Sequence, residues 1–505
     1  MQQSTTVPES DRKQVYSETP SPLAMTPEEF YARSMQTAEL ATAHYADRPT
    51  RPVYTMPPRE MLERLRSSPF PEHGMSAQAI LNYFAREIMP YDMGNQQPTF
   101  SPWVNPAAAP ISIFVDHLAS VMNPTSAKGL HAATEIEKLV IRWLEELIGF
   151  PTTDSGGIFV NGGSLANFHG LSAALYWAAK HYGWDLQGEG VQGNHPRFLI
   201  YGSHEVHSCI EKSMRLLGLG LQSYRRIGVT AQRRIDLQEL YATVARDRAA
   251  GLWPFAIVGS GGTVNTGVVD PLSALADFCA RENLWLHVDG AYGWPGFLDQ
   301  RLAPLYGDGL ARAHSLALDA HKWLAATNTC SCTLVREKAM LAGAFGFEAS
   351  YLRLTEHEGF GMGERFDMVG MYQTRHFLAA KIFGVLLQLG RKGLRQHITR
   401  HIDLARFMIE QVQASADMEL LADTDLTVVC FRYAPGELRG NDQRLNALNK
   451  EIVRRLMLGG EKAFVSGTDL DHRYAIRSCA LHYNLNERDI ATILEVVRRV
   501  GREIA

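Results

Sequence analysis

The chain has 505 residues, 46% of them hydrophobic and 21% charged, which is the make-up of an ordinary globular protein with room for two or three cores. Its net charge of -4 contains no basic block, so neither nucleic acid nor an anionic membrane surface is expected as a partner, and its apolar runs fall far short of a membrane span. Residues 1–25 open polar, without the apolar core of a signal peptide, and read as a disordered leader or a dimer-wrapping arm on a cytoplasmic protein.

Residues 26–105 read as a helical N-terminal segment. Thr26-Pro-Glu-Glu29 carries a threonine cap, a proline at the first helical position and a glutamate three residues on. The helical pattern continues to about Tyr91, broken by the extended, proline-bearing stretch Arg51 to Pro58. Thr134-Glu-Ile-Glu137 reads as a second capping box, and Gly149 and Pro151 stop the helix it opens.

Residues 106–385 read as a large domain in which apolar strands alternate with helices. The strands are expected at Ile158–Val160, Phe198–Tyr201, Phe255–Val258, Leu284–Val288 and Leu316–Leu318. Continuous apolar runs indicate burial on both faces of a mostly parallel sheet, the mark of an α/β protein. Residues 386–505 read as a small α+β domain: a loop at Gly390-Arg-Lys-Gly393, a helix Leu394 to Ala414, strands Thr427–Arg432 and Ala475–Cys479, and a final helix Asn486 to Val500. The six cysteines, Cys209, Cys279, Cys330, Cys332, Cys430 and Cys479, lack a repeated metal-ligand spacing. They read as reduced, packed thiols, and no metal site is expected.

In parallel sheets ligands bind beyond the carboxyl ends of the strands. Here Gly162-Gly163-Ser164 follows the first strand and opens a helix, whose free N–H groups suit a phosphate. His207 follows the second strand, Thr263 the third, Asp289 ends the fourth, and Asp319, His321 and Lys322 follow the fifth. Each alone has an ordinary reading: a turn, a surface or core histidine, a helix cap, a surface lysine. Together they favour a cofactor site. A lysine desolvated at a strand mouth can present the neutral amine that forms a Schiff base, and an aspartate facing a pyridinium nitrogen completes the pair that pyridoxal 5'-phosphate (PLP) requires.

Asp319-Ala-His-Lys-Trp323, His287-Val-Asp-Gly-Ala-Tyr292, Ser203-His-Glu-Val-His-Ser208 and Gly262-Thr-Val-Asn-Thr-Gly267 resemble the PLP-dependent group II amino-acid decarboxylases, among them the aromatic-L-amino-acid, glutamate and 2,4-diaminobutyrate enzymes. The likeness runs from about Pro27 to Val500 and includes Gln97-Pro-Thr-Phe100 and Ala349-Ser-Tyr-Leu352. It implies a fold-type I PLP-dependent transferase-like architecture and a homodimer with active sites at the subunit interface. It also implies roles. Lys322 would hold PLP, Asp289 would pair with the pyridine nitrogen, and His207 and Ala291 would cover the two ring faces. Gly163, Ser164, His321 and Asp319 would surround the phosphate, and Thr263 would sit near the ring's edge.

Many members carry a tyrosine on a mobile loop that protonates Cα. The corresponding stretch here, Arg353 to Asp367, contains none, and the tyrosine position falls on Arg365 or Phe366. Gly359, Gly361 and Gly363 keep the character of a lid. Decarboxylation of an L-amino acid to its amine is the first expectation, with His357 as one alternative proton donor. Decarboxylation coupled to oxidative deamination, giving an aldehyde, is the second, and a catalytically silent PLP-binding protein the third. Trp103, Asn105 and His131 are candidate substrate residues. Trp103 would either stack on an aromatic substrate or cap the core edge. Arg477 is a candidate partner for a substrate carboxylate, with a structural ion pair as the alternative.

Overall fold

The computed structural model describes residues 21–347 and 363–504. His357, most of the tyrosine-less lid and the greater part of the N-terminal arm lie outside the described residues. By contacts the chain divides into two units, residues up to 51 with 57–92, and residues 52–56 with 93–505.

The first unit is helical. Its opening helix, Pro27–Ala46, starts as the capping box dictates: Thr26 Oγ1 accepts from the Glu29 N–H at 3.2 Å, and Glu29 Oε2 accepts from the Thr26 N–H at 2.9 Å. Helices Arg59–Ser67 and Ala77–Tyr83 follow.

The second unit is built on two sheets. The larger has strands β1 (Gly156–Val160), β2 (Phe198–Ser203), β3 (Tyr224–Ile227), β4 (Trp253–Ser260), β5 (Trp285–Asp289), β6 (Ser315–Asp319) and β7 (Ser331–Val335), in the order β1-β7-β6-β5-β4-β2-β3. The run β3-β2-β4-β5-β6 is parallel throughout, and only β7 is antiparallel to its neighbours β6 and β1. The five strands expected from apolar runs are β1, β2, β4, β5 and β6. All five bury essentially every residue, as the unbroken hydrophobicity requires. Each fully buried large aliphatic side chain contributes about 1.5–3 kcal/mol.

The smaller sheet, β8 (Met418–Ala422), β9 (Val428–Tyr433), β10 (Ser466–Leu470) and β11 (Arg473–Cys479), is antiparallel in the order β10-β11-β9-β8. It encloses its own core with helices Asp442–Met457 and Glu487–Ile504. A helical run Ala379–Ala414 serves both cores: Ile382 and Ile398 pack with the large sheet, Met408 and Val412 with the small one.

Two local expectations are corrected. The expected loop Gly390-Arg-Lys-Gly393 shrinks to Gly390 alone, whose φ of 57° breaks the helical run before it resumes at Arg391. Thr134-Glu-Ile-Glu137 does not cap a helix, because the helix starts earlier, spanning Ala132–Ile148 with His131 at its N-cap. Glu137 is drawn into the core instead, by the Phe159 N–H at 3.1 Å and the Arg375 guanidinium. All six cysteines are buried free thiols. Among the described residues, no helix is long and apolar enough to cross a membrane.

Candidate active site

A cavity of about 350 Å³ opens at the carboxyl ends of the central strands. Strand termination builds it: β4 ends in Ser260, β5 in Asp289 and β6 in Asp319, and in the parallel register Ser260 stands beside Asp289. The backbone turns at each strand end, so the last polar side chain faces the crevice rather than the sheet. Gly163, Ser164, His207, Asp289, Ala291, Asp319, His321 and Lys322 all line it, as do Trp103 and Asn105 from the segment preceding the large sheet.

Lys322 Nζ lies 2.9 Å from Asp319 Oδ2. The largest influence on the lysine is desolvation, which disfavours its charge. Asp319, by charge and hydrogen bond, and then Asp289 more than offset this and hold its pKa above the ordinary lysine value. Burial alone was expected to yield a neutral amine; in the free protein two carboxylates keep it an ammonium. Asp319 is 2% exposed, and its Oδ1 is buried without a hydrogen-bond partner.

Asp289, 8% exposed, accepts from the Ala291 N–H at 3.1 Å. That bond folds the chain back after β5 and sets Ala291 on the cavity wall. His207 Nδ1 accepts from the Cys209 N–H at 3.2 Å, which leaves Nε2 to carry the proton of the neutral ring. Desolvation, opposed by the Asp289 charge, lowers the His207 pKa below its usual value. His321 is lowered in the same way, with Asp319 opposing; its Nδ1 is 3.0 Å from the Cys330 carbonyl and its Nε2 3.9 Å from Asp319 Oδ2.

Gly162, at φ 96°, turns the chain from β1 into the helix Gly163–Tyr182, whose first-turn N–H groups face the crevice. A Cβ on Gly163 would lie 2.6 Å from Asp319 Oδ2, so only glycine permits this approach.

Sequence reasoning missed Asn167, Ser260 and Cys209, which also line the cavity. Asn167 stands one helical turn after Gly163, a spacing that places both on one face. It ends a buried polar relay. Trp285 Nε1–H donates to Ser315 Oγ at 2.7 Å, and Ser315 lies 2.7 Å from His287 Nδ1. His287 Nε2 lies 2.8 Å from Asn167 Oδ1, and Asn167 Nδ2 donates to the Gly163 carbonyl at 2.9 Å. Burial lowers the His287 pKa to about 3, so the ring is neutral and every group in the relay has a donor or acceptor to match.

Of the other expected residues, Trp103 and Asn105 line the cavity, whereas Thr263, His131, Phe366 and Arg477 do not. The Thr263 hydroxyl closes its own turn, 3.1 Å from Thr266 Oγ1 and accepting from the Val268 N–H at 3.1 Å; Gly262 and Val264 line the cavity on either side of it. His131 is the helix N-cap and does not line the cavity. Phe366 is 2% exposed, with the Arg375 guanidinium 5.0 Å from its ring centre, and it lines a different cavity. Arg477 donates to three backbone carbonyls, those of Pro102, Val264 and Asn265. Asn105 Oδ1 accepts from Asn328 Nδ2 at 3.3 Å. Trp103 is 43% exposed and packs against Phe100 and Phe464.

These residues suit PLP. A lysine and a carboxylate face one crevice, a glycine turn and a helix start offer N–H donors beside it, and an orphaned carboxylate oxygen faces inward. The comparisons with known proteins agree. Residues 58–434 match the pyridoxal-dependent decarboxylase conserved domain. The chain is 29% identical over 489 residues to aromatic-L-amino-acid decarboxylase of Bacillus atrophaeus, covering 96% of this chain and 98% of that protein. It is 26% identical over 498 residues to 4-hydroxyphenylacetaldehyde synthase of Rhodiola rosea, covering 97% and 98%. The crystal structure of Oryza sativa TDC with PLP and tryptamine shares its fold, with a TM-score of 0.86 at 24% identity over 96% of this chain and 100% of that one.

Proposed function

As a member of the pyridoxal-dependent decarboxylase family, the chain is a PLP-dependent amino-acid carboxy-lyase, and we propose that it converts a neutral L-amino acid with an aromatic or large apolar side chain to its amine. The observation that carries the substrate class is the charge of the cavity wall. Asp289 and Asp319 contribute two carboxylates, Lys322 is the one lysine or arginine among the described lining residues, and Trp103 exposes its indole at the mouth. A substrate with a second carboxylate would face these aspartates without a cation of its own, whereas an aromatic side chain would meet Trp103 and Val104.

When bound, PLP supplies an electron sink for the pair left on Cα as carbon dioxide departs. The chain's own residues do the rest. Lys322 Nζ would be the attachment point, and Asp319 Oδ2, 2.9 Å from it, would hold the lysine ammonium when it is free. Asp289 would hold a proton on the pyridine nitrogen by offering it a carboxylate. His207, fixed by the Cys209 N–H, keeps a neutral imidazole over the site with its proton on Nε2. The Gly163 and Ser164 N–H groups at the helix start would receive the phosphate. In the active form we infer a homodimer.

A second reading rests on the lid sequence from Arg353 to Asp367, which has no tyrosine. Without that proton donor at Cα, the product would be an aldehyde formed with oxygen uptake. Product analysis with an aromatic amino-acid panel decides between them: amine without oxygen consumption supports the first reading, and aldehyde with ammonia and peroxide the second. Borohydride reduction and peptide mapping test the attachment point, and label on a residue other than Lys322 would overturn it.

A further inference from the structure

We infer that Arg477 is a positioning residue, a clasp that sets the width of the substrate side of the cavity by holding two separate rim segments at one guanidinium. The inference rests on the decarboxylase reading of the cavity. Arg477 lies on β11 and is 5% exposed. Its Nη1 donates to the Pro102 carbonyl at 2.6 Å, its Nη2 to the Val264 carbonyl at 2.5 Å, and its Nε to the Asn265 carbonyl at 3.3 Å. Pro102 immediately precedes Trp103, and Val264 is itself a lining residue, so the two contacts fasten two separate lining segments to each other.

A buried arginine is costly to hold without a carboxylate, and among the described residues Arg477 makes no ion pair. Its charge is met by three carbonyl dipoles, a use that exploits the fixed fork of the guanidinium rather than its charge. The surrounding sheet reinforces the same attachment. Ser466 Oγ donates to the Pro102 carbonyl at 2.5 Å. The Ser101 N–H bonds the Phe464 carbonyl at 2.9 Å, and the Cys479 N–H bonds the Ser101 carbonyl at 2.7 Å. The segment that carries Trp103 is thus sewn to the C-terminal sheet, and Arg477 joins that seam to the turn after β4, where Thr468 Oγ1 on β10 and Cys430 Sγ on β9 also bond Asn265. With three of its five N–H donors on carbonyls and its side chain absent from the cavity lining, Arg477 orders the rim and does not face the substrate carboxylate.

The test uses the holoenzyme, with 2-phenylethylamine as a probe that has the aromatic side chain and no carboxylate. Arg477→Met and Arg477→Lys are compared with the parent by calorimetric titration of the amine, by KM and kcat for the amino acid turned over, and by borohydride labelling of Lys322. The expected result is amine binding weaker by tenfold or more in both variants, KM raised by a similar factor, kcat changed less than threefold, and labelling of Lys322 intact. A raised KM with full-strength amine binding would mean that Arg477 meets the substrate carboxylate, and it overturns the clasp, as does unchanged behaviour in both titrations. If neither arginine variant folds, Ser466→Ala decides. It removes only the hydroxyl donor to Pro102, amine binding weaker by about threefold is expected, and unchanged binding overturns the inference. Failure of the parent to label at Lys322 would count against the decarboxylase reading, while the amine titration still reads the rim.

Discussion

Lys322 and Asp319 are three residues apart at the mouth of β6, with Nζ 2.9 Å from Oδ2, and this pair governs the charge of the lysine. Desolvation pulls the ammonium towards neutrality, Asp319 and then Asp289 pull it back, and the carboxylates win. Cys209 and His207 line the same cavity as the lysine.

Asp319→Asn is therefore expected to make Lys322 a better nucleophile at neutral pH. Removing the carboxylate leaves desolvation opposed mainly by Asp289, so the lysine pKa falls. The initial rate of PLP attachment to the apoprotein, followed by visible absorbance against pH, should rise with its midpoint at lower pH. An unchanged midpoint would show that Asp319 does not set the charge of Lys322.

Gly163→Ala should loosen PLP without unfolding the protein. The added Cβ would meet both Asp319 carboxylate oxygens, at 2.6 and 2.9 Å, forcing either the turn or Asp319 to move. The same turn is held from behind by Asn167 Nδ2 on the Gly163 carbonyl. A strain of about 1–3 kcal/mol at the turn translates to roughly 5- to 150-fold in PLP dissociation constant. Equilibrium dialysis measures it, and parent-like PLP affinity would refute the argument.

Much of this site was legible because parallel strands are written as unbroken apolar runs whose first polar residue marks the exit. Asp289, Asp319 and Lys322 were found that way, and His207 a few residues beyond an exit. Asn167 was not, because it lies inside a helix where an asparagine every few turns is unremarkable; only its partners His287 and Gly163 give it meaning. β7 was missed because Ser331-Cys-Thr-Leu-Val335 is short and mixed, and its strand character comes from pairing with β1 and β6. Glu137 misled as a cap because the same spacing serves a buried ion pair when an arginine 238 residues away reaches it. Arg477 was found as a residue but not as a clasp, since nothing in its neighbourhood in sequence announces the carbonyls of Pro102 and Val264.

Stability should fall steeply in mild acid. Burial lowers the pKa of His287 to about 3 and those of His169 and His314 to about 4. Below about pH 6.5 the unfolded chain binds protons at these sites that the folded chain refuses, so stability is complete above that pH and lost as pH falls towards the folded values. His169→Phe isolates one term, since the ring stacks on Phe345 at 4.6 Å and its Nε2 is buried without a partner. Urea unfolding at pH 7.5 and 5.5 should show about 1 kcal/mol less acid loss in the variant than in the parent. Equal losses in the two proteins would remove His169 from the account.

The buried pair Glu137–Arg375 should behave as a tie behind the Gly162–Gly163 turn rather than as a simple stabilising contact. Glu137 is fully buried and Arg375 is 5% exposed. The guanidinium also donates to the Ser126 and Phe159 carbonyls, both at 2.8 Å, and Glu137 accepts the Phe159 N–H at 3.1 Å. Phe159 belongs to β1, three residues before Gly162, so the pair fixes the strand that delivers the turn. Removing one member leaves the other charge buried and unmatched, at a cost of about 3–5 kcal/mol, whereas replacing both by apolar residues of similar size leaves no stranded charge. Glu137→Leu and Arg375→Met should each lower the urea midpoint strongly, and the double variant should lose less than the sum of the two. The double variant should still bind PLP more weakly than the parent, because β1 has lost a side-chain acceptor for Phe159. Strict additivity in urea, or single variants within about 0.5 kcal/mol of the parent, would contradict a buried pair held at this position.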